Sequence, residues 1–215
     1  MKTEVKSIFQ NFLNDNPRLE ICSDSILKAF RILQQCYNSG GKVLICGNGG
    51  SAADSEHIVG ELMKGFIKKR PILHDDIKKL QETYPEEWKY LANNLQGALP
   101  AISLVSQSAV SSAFINDISP DMVYAQLVYG YHKTGDVLIG LSTSGSSKNI
   151  VNAIKTAKAF NMPTIGFTGE TGGVMHRLCD VTITVPARET YKVQEYHLPI
   201  YHALCAMIEA EFFCE

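Results

Sequence analysis

The segment 42–65 constrains the fold more than any other part of the chain; it reads KVLICGNGGSAADSEHIVGELMKG. It begins with an apolar run at 43–46, which is typical of a buried parallel strand. Glycines in the following turn allow tight bending and a close approach of the backbone to a ligand. A helical pattern comes next, and its first N–H groups and positive dipole end attract anions. We therefore predict a phosphate-type site at Asn48, Gly49, Gly50 and Ser51.

The same predicted helix carries a histidine and a glutamate on one face. His57 and Glu61 are four residues apart, so their side chains are neighbours one turn beyond the anion site. A pair at this spacing is most often an ordinary surface pair. The alternative is that both side chains act on a ligand held at the preceding turn.

A second strand–turn–helix unit repeats this pattern later in the chain. An apolar run at 136–141 leads into the turn STSGSS at 142–147, and 148–160 has helical periodicity. The turn places five hydroxyl residues around one glycine, and such a turn can surround phosphate oxygens with donors. An ordinary helix cap, the alternative, needs only one hydroxyl. We favour a second phosphate site.

Strands and helices alternate through the rest of the chain. Further strands are predicted at 101–104, 163–168 and 181–185. Further helices are predicted at 3–14, 19–36, 119–132 and 191–213. The polar stretch 74–98 is expected to form one or two short surface helices, and the run of small residues before Asn116 is assigned no element.

This alternation predicts an α/β chain, a three-layer αβα sandwich with a mostly parallel sheet. We expect a single domain over 1–215, with N-terminal helices in 1–39 and a helical insertion at about 72–98. Both turns then lie at the carboxyl ends of the strands, where ligands bind in such sheets. The N-terminal helices are more apolar than one solvent-facing layer needs, so part of their surface is expected to contact another subunit.

Composition excludes several functional classes. The formal net charge of −2 and pI near 6.3 give no basic field for nucleic acid or anionic lipid. The charged run at 68–70 is read as a solvated helix end. No apolar run approaches the ~20 residues that cross a bilayer, and charges lie where a signal peptide needs its apolar segment. These features predict a cytoplasmic protein that binds neither nucleic acid nor membranes.

Six cysteines are scattered without a Cys-x-x-Cys pair, at 22, 36, 46, 179, 205 and 214. Several lie in apolar runs, so they are expected to be reduced core residues rather than disulfides or thiolate metal ligands.

Nucleotide-binding motifs fit the two turns poorly. Ala52 is acceptable as the third position of G-x-G-x-x-G, but no acidic residue closes the next strand to hold a ribose. No Gly-Lys-Ser/Thr follows either turn, so a P-loop is absent from the sequence. Two phosphate-type turns without these features suggest a small phosphorylated metabolite.

The motifs together resemble those of a known family. GNGGSAAD at 47–54 and STSGSS at 142–147, in this order, are similar to the sugar isomerase (SIS) domain. HIVGEL at 57–62, Asn116-Asp117 and VQEYHLPIYH at 193–202 resemble one branch, the phosphoheptose isomerases. The turns alone indicate only the superfamily, and the His-x-x-x-Glu and Gln-x7-His pairs narrow it. The resemblance covers about 40–213.

The resemblance implies a role for each matching residue. Ser51, Ser142, Ser144 and Ser147 would hold the substrate phosphate with Thr143 alongside, Asp117 would bind a sugar hydroxyl, and Gln194 would contact the substrate. Glu61 would be the base and His202 the acid of an aldose–ketose isomerisation that converts sedoheptulose 7-phosphate to D-glycero-D-manno-heptose 7-phosphate.

The family's zinc site would correspond to His57, Glu61, Gln194 and His202. Zinc accepts nitrogen and carboxylate ligands. Both His197 and His202 lie less than 90° from Gln194 around the helix axis, so helical spacing alone does not decide which of them is the ligand. Only the motif match selects His202.

Family members are usually homotetramers, so a homotetramer with pockets near its interfaces is expected. The insertion departs from the family pattern; it either lines or covers the pocket or is a surface decoration. Two other functions stay open from sequence. One is a non-catalytic phosphosugar-binding regulator or scaffold, and the other is a lyase that eliminates a lactyl ether from a phosphorylated amino sugar.

Overall fold

A computed structural model describes residues 1–213. Five parallel strands form one sheet in the order β2-β1-β3-β4-β5. The strands are β1 Val43–Gly47, β2 Ala101–Ser103, β3 Val137–Leu141, β4 Thr164–Thr168 and β5 Val181–Thr184. The predicted α/β architecture with a parallel sheet is confirmed, and each predicted strand is found within a residue or two of its expected bounds.

Ten α-helices surround the sheet in the described part of the chain. They are α1 Thr3–Asp15, α2 Ser23–Asn38, α3 Gly50–Met63, α4 His74–Thr83, α5 Trp88–Asn94, α6 Ser108–Asp117, α7 Val123–Tyr131, α8 Lys148–Ala159, α9 Met175–Leu178 and α10 Thr190–Phe212. Short 3-10 turns at Pro17–Cys22 and Pro120–Met122 precede α2 and α7. The sequence missed α6 and α9: α6 buries none of its residues and α9 is a single turn, so neither has the apolar periodicity that reveals a helix.

Strands β1, β3 and β4 are buried on both faces, as their continuous apolar runs predict. Alternate residues of β1 point to opposite cores. Val43 and Ile45 pack with α1, α2, α3 and α10 on one face. Leu44 and Cys46 pack with α7 and α8 on the other. The sheet therefore lies between two helical layers, which is the three-layer arrangement.

The two predicted anion turns meet at the point where the chain reverses its direction across the sheet. From β1 the chain crosses to β2 at one edge, then returns past β1 to β3 on the other side. Because β1 and β3 are paired up to Gly47 and Leu141, the residues that follow them are neighbours. Open α/β sheets bind their ligands in the crevice at such a switch point.

The insertion lies near the amino ends of β1 and β2, whereas the anion turns follow the carboxyl ends of the strands. It contains α4 and α5, which bury none of their residues. It is tied to the end of α3 by the bonds Gly97 N–H to Arg70 O and Gly65 N–H to Gln96 Oε1, both 2.7 Å long. With the chain before β1 and the end of α10 it encloses a cleft of ≈ 440 Å³. Within this chain the insertion therefore does not cover the two anion turns.

The N-terminal helices are largely covered by the chain itself. Val5 and Phe12 of α1 are buried, and α1 packs on α10. Ile26, Phe30 and Leu33 of α2 are buried in the same core. Internal packing thus accounts for the buried part of this apolar surface, while Ile21 between the two helices is 78% exposed.

One reading of the basic run at 68–70 is wrong. Lys69 is exposed, but Arg70 is 1% exposed and pairs with Glu209 at 2.7 Å. A buried arginine with a carboxylate partner is a structural group rather than part of a solvated helix end.

The cysteines behave as the sequence predicts. Those at 22, 36, 46, 179 and 205 are all free thiols, and Cys214 lies outside the described residues. Burial raises the pKa of Cys22 to about 11 and that of Cys36 to about 12, so both stay protonated and unreactive. Across residues 1–213, no helix has the length and apolar content to span a membrane.

Candidate active site

The hydroxyl-rich turn after β3 gathers three serines around one point. Ser142 Oγ lies 3.0 Å from Ser147 Oγ and 3.4 Å from Ser144 Oγ. Ser147 is the N-cap of α8, yet its side chain makes no capping hydrogen bond. The hydroxyls therefore face one another instead of the helix, which disfavours the helix-cap reading. Three convergent donors beside a helix N-terminus suit a phosphate.

The glycine turn after β1 lies beside this cluster and is joined to it. Asn48 and Asn149 exchange two amide hydrogen bonds of 2.9 Å, which link the glycine turn to the first turn of α8. The Tyr124 hydroxyl donates to the carbonyl of Gly47 at 2.8 Å and holds the end of β1. Ser51 is buried at the start of α3. Sequence reasoning missed Asn149 and Tyr124, because only the paired strands bring them to this turn.

A third glycine turn, at 169–173, packs against the serine turn and, with the residues just after it, hydrogen-bonds to its backbone. The N–H of Gly169 donates to Thr143 O at 3.0 Å, and the N–H of Met175 donates to Gly145 O at 2.9 Å. Gly145 has φ +64°, and a Cβ there would lie 2.2 Å from Gly172 O. Only glycine fits such a close approach at positive φ. The half-buried Thr143 thus contributes its backbone to holding the turn.

Helices α3 and α10 run side by side in the same direction, and their matched contacts define the rest of the site. A Cβ at Gly50 would lie 2.4 Å from Gln194 Nε2, so Gln194 rests on the start of α3. Farther along, His202 Nε2 lies 3.4 Å from His57 Nε2. The two contacts are seven residues apart on α3 and eight on α10, or roughly 10–12 Å at the α-helical rise.

The structure brings His57, Glu61 and His202, three residues with predicted functional roles, into one cluster. His57 Nε2 lies 3.2 Å from Glu61 Oε1; the His57 side chain is 43% exposed and the Glu61 side chain 13%. Glu61 Oε2 contacts Lys64 Nζ at 3.3 Å. Burial lowers the pKa of His202 below its usual value, and the nearby His57 lowers it further. The cluster thus combines a shielded carboxylate with two imidazoles, a set able to move protons.

His197, the other histidine left open by helical spacing, lies elsewhere. It is fully buried, with Nε2 3.4 Å from the carbonyl of Thr168 and its ring edge-on to Phe167. Burial lowers its pKa to about 4, so it stays neutral. The structure thus brings His202, not His197, to His57.

The donor set of the cluster can be tested against a zinc ion. Two imidazole nitrogens and a carboxylate oxygen are ligands that zinc accepts, and the 3.2 and 3.4 Å separations match the ~3.3 Å between ligands of a tetrahedral zinc. Among residues 1–213, no three His, Cys, Asp or Glu side chains surround a single ion position, so zinc binding requires these side chains to rotate. Gln194 does not join them, because it lies about two turns away beside Gly50.

Asp117 lies at the end of α6. It is exposed, and its Oδ1 accepts a hydrogen bond of 2.8 Å from Asn116. In the described part of the chain it has no hydrogen bond to either anion turn. An exposed carboxylate held only by its neighbour is available to a ligand, but nothing in this chain directs it at one.

Comparison with known proteins finds relatives that match most of the chain. The family model of the SIS domain matches residues 18–96 and 91–169. The phosphoheptose isomerase of Campylobacter jejuni is 38% identical over 193 residues, which cover 90% of each chain. That of Clostridium acetobutylicum is 39% identical over 192 residues, which cover 89% of this chain and 85% of the relative. The solved phosphoheptose isomerase of Neisseria gonorrhoeae superposes with a TM-score of 0.71 at 30% identity, covering 95% and 97% of the two chains.

Proposed function

This chain belongs to the SIS domain family, and we propose that it interconverts sedoheptulose 7-phosphate and D-glycero-D-manno-heptose 7-phosphate. The observation that carries the proposal is the cluster of Glu61, His57 and His202, in which the first two lie one turn apart on a helix that begins at a phosphate-type turn. Relatives named phosphoheptose isomerase, at 32–39% identity over most of the chain, support an enzyme of this kind.

Binding begins at the phosphate. Ser142, Ser144 and Ser147 donate their hydroxyl protons to its oxygens, and Ser51 and the backbone of Gly49 and Gly50 approach it from the other turn. The phosphate is remote from the reacting carbons, so its binding energy serves to orient them. We assign Asn48 and Gln194 to contacts with the substrate and Asp117 to a sugar hydroxyl.

The chemical step moves one proton between neighbouring carbons. The Glu61 carboxylate takes the proton from the carbon beside the carbonyl, and the electron pair of that C–H bond forms the double bond of an enediol. His202 donates a proton to the former carbonyl oxygen as its negative charge develops. Glu61 then returns its proton to the adjacent carbon, while the other oxygen becomes the new carbonyl and gives its proton to His202. No atom is gained or lost.

A zinc ion is part of the proposal. His57, Glu61 and His202 would hold it, and Gln194 is the member of the expected ligand set that this arrangement does not support. Bound there, zinc would supply Lewis-acid polarisation of a substrate oxygen. The rotation that brings the three donors together would compete with the role of Glu61 as base, which makes partial or weak metal occupancy our expectation.

We also propose a homotetramer in the cytoplasm. The exposed apolar residues of and beside α6, Val110, Ile115 and Ile118, are suited to a subunit contact and support the assembly. The free cysteines support a reducing compartment. Light scattering at micromolar concentration tests the assembly, and a monomer would reject it.

The function is tested by incubating the protein with sugar phosphates of five, six and seven carbons in heavy water. We expect NMR to show conversion of sedoheptulose 7-phosphate to the aldose, with deuterium at the carbon beside the carbonyl. Binding of these phosphates without turnover would instead indicate a regulator. Release of lactate from a phosphorylated amino sugar that carries a lactyl ether would indicate a lyase.

A further inference from the structure

Asp54, Tyr201 and His57 form a chain of hydrogen bonds behind the acid–base cluster. Tyr201 Oη lies 3.2 Å from Asp54 Oδ1 and 3.0 Å from His57 Nδ1. Asp54 and His57 are on α3, and Tyr201 reaches them from α10. The other ring nitrogen of His57, Nε2, faces Glu61 and His202. The hydrogen bond from this series to the cluster is thus made at Nδ1 of His57.

We infer that Asp54 and Tyr201 are positioning residues that keep the His57 proton on Nδ1, so that its Nε2 presents a lone pair to Glu61 and His202. This assignment uses the proposed role of His57 in the active site, but it concerns the state of the ring and has its own readout. Sequence reasoning assigned no role to either residue.

Counting protons shows which groups donate and which accept in the hydrogen bonds that join Asp54, Tyr201 and His57. A tyrosine hydroxyl has one proton to donate, and an ionised carboxylate can only accept. The second oxygen of Asp54, Oδ2, is buried without a hydrogen-bond partner in the described structure. If Tyr201 donated to His57, the carboxylate of Asp54 would lose its hydroxyl donor while half-buried. Leaving a buried acceptor without a donor is costly, so the Tyr201 hydroxyl donates its proton to Asp54. In its contact with His57 the same hydroxyl oxygen is then the acceptor, and the donor is a proton on Nδ1 of His57.

The state of the tyrosine agrees with this direction. Burial raises the pKa of Tyr201, and the neighbouring Asp54 raises it further, so the hydroxyl remains a donor. Glu61 opposes the arrangement, because its carboxylate would attract a proton to Nε2 of His57 at 3.2 Å. Removing the Tyr201 hydroxyl should therefore release the proton from Nδ1 to Nε2.

The tautomer of His57 determines what its Nε2 atom can bind inside the cluster. His57 Nε2 and His202 Nε2 are 3.4 Å apart, and only a nitrogen without a proton can face a cation or accept a proton there. Ligand histidines usually donate their second N–H to a partner that fixes tautomer and orientation. Tyr201 also contacts both rings edge-on, with centroids 5.5 Å from His57 and 4.9 Å from His202. Replacing it with phenylalanine keeps these ring contacts and removes only the hydroxyl.

The test compares Tyr201→Phe with Tyr37→Phe in the full chain. The Tyr37 hydroxyl is buried without a hydrogen-bond partner in the described structure, so its removal is a matched control for losing a hydroxyl. Long-range 1H–15N NMR of metal-free protein at mildly alkaline pH reports which ring nitrogen carries the proton, and a His57→Asn variant assigns the signal. We expect Nδ1–H in the wild type and in Tyr37→Phe, and a shift toward Nε2–H in Tyr201→Phe. A wild-type ring protonated on Nε2, or a tautomer unchanged in Tyr201→Phe, would overturn the inference.

Zinc affinity, measured by competition with a chromophoric chelator, is the second readout. Tyr201→Phe should bind Zn²⁺ about 10–100-fold more weakly, and Tyr37→Phe should match the wild type. If Tyr201→Phe does not fold, Asp54→Asn replaces it and should shift the tautomer in the same direction. A tautomer shift in a protein that isomerises no phosphosugar would reject the proposed function and keep this inference. Isomerisation of a phosphosugar, together with a His57 tautomer that does not change in Tyr201→Phe, would support the proposed function and reject this inference.

Discussion

Glu209 and Arg70 form a buried ion pair that ties α10 to the end of α3. Arg70 Nε donates to Glu209 Oε1 at 2.7 Å, and its other nitrogens donate to the last carbonyls of α3, Leu62 O at 2.7 Å and Glu61 O at 3.0 Å. The Glu209 carboxylate also accepts the N–H groups of Phe66 and Ile67. The pair thus holds the backbone of Glu61 against the helix that carries His202.

Glu209→Gln should strongly destabilise the protein. It leaves Arg70 charged, buried and without its carboxylate, and breaking one side of such a pair typically costs about 3–5 kcal/mol. Urea unfolding measures the loss. Asp76→Asn, which removes an exposed pair with Lys79, is the control and should leave stability nearly unchanged. Equal effects of the two variants would show that the buried pair is not a main stabilising contact.

Acid should reduce this stabilisation. Burial raises the pKa of Glu209, but the N–H groups of Phe66 and Ile67 and the Arg70 guanidinium outweigh it and hold the pKa below its usual value of 4.5. A carboxylate with a lowered folded-state pKa contributes fully above its unfolded pKa and loses that contribution as pH falls through the folded one. The gap in unfolding free energy between wild type and Glu209→Gln should therefore narrow below about pH 4.5. A gap that stays constant to pH 3 would contradict the lowered pKa.

Glu61→Gln should bind phosphosugar nearly as well as the wild type and lose turnover by roughly 10²–10⁴-fold. Glutamine keeps the size of the side chain but cannot accept a carbon-bound proton. Solvent deuterium exchange at the carbon beside the carbonyl should fall in parallel. Metal content must be measured in both proteins, since loss of zinc would lower turnover too. Wild-type isomerisation by the variant would exclude Glu61 as the base.

Ser144→Ala and Ser147→Ala should weaken substrate binding without affecting folding. Each removes a hydroxyl that faces Ser142, and a hydrogen bond to a charged group is worth about 1.5–3 kcal/mol. Calorimetry with substrate and with inorganic phosphate measures the effect. Ser7→Ala on the exposed face of α1 is the control. Unchanged affinity for both ligands would reject the serine turn as the phosphate site.

Deleting α4 and α5 should leave substrate preference unchanged. The two helices bury none of their residues and lie at the amino edge of the sheet, opposite the anion turns. Replacing 74–94 by a short glycine–serine linker and comparing kinetics on five-, six- and seven-carbon phosphosugars tests this. A changed preference would show that the insertion reaches the active site of a neighbouring subunit.

The strands, the two anion turns and the His57–Glu61 pair could be predicted from sequence because each is a local pattern. A buried strand requires a run such as Val43 to Cys46, a phosphate turn requires small and hydroxyl residues, and i, i+4 spacing alone makes His57 and Glu61 neighbours. The charge pattern was less informative. Lys69 and Arg70 are adjacent and chemically alike, yet one is exposed and the other buried.

The contacts that complete the site join residues far apart in the chain, so only the tertiary structure decided them. His57 and His202 are 145 residues apart, and Arg70 and Glu209 are 139 apart. Periodicity placed both His197 and His202 on the last helix, but the rotation of α10 against α3 determined which of them faces His57. The same docking placed Gln194 on Gly50 and Tyr201 between Asp54 and His57. Local sequence sets which face of a helix is apolar, whereas packing against the other helix sets which polar residues meet.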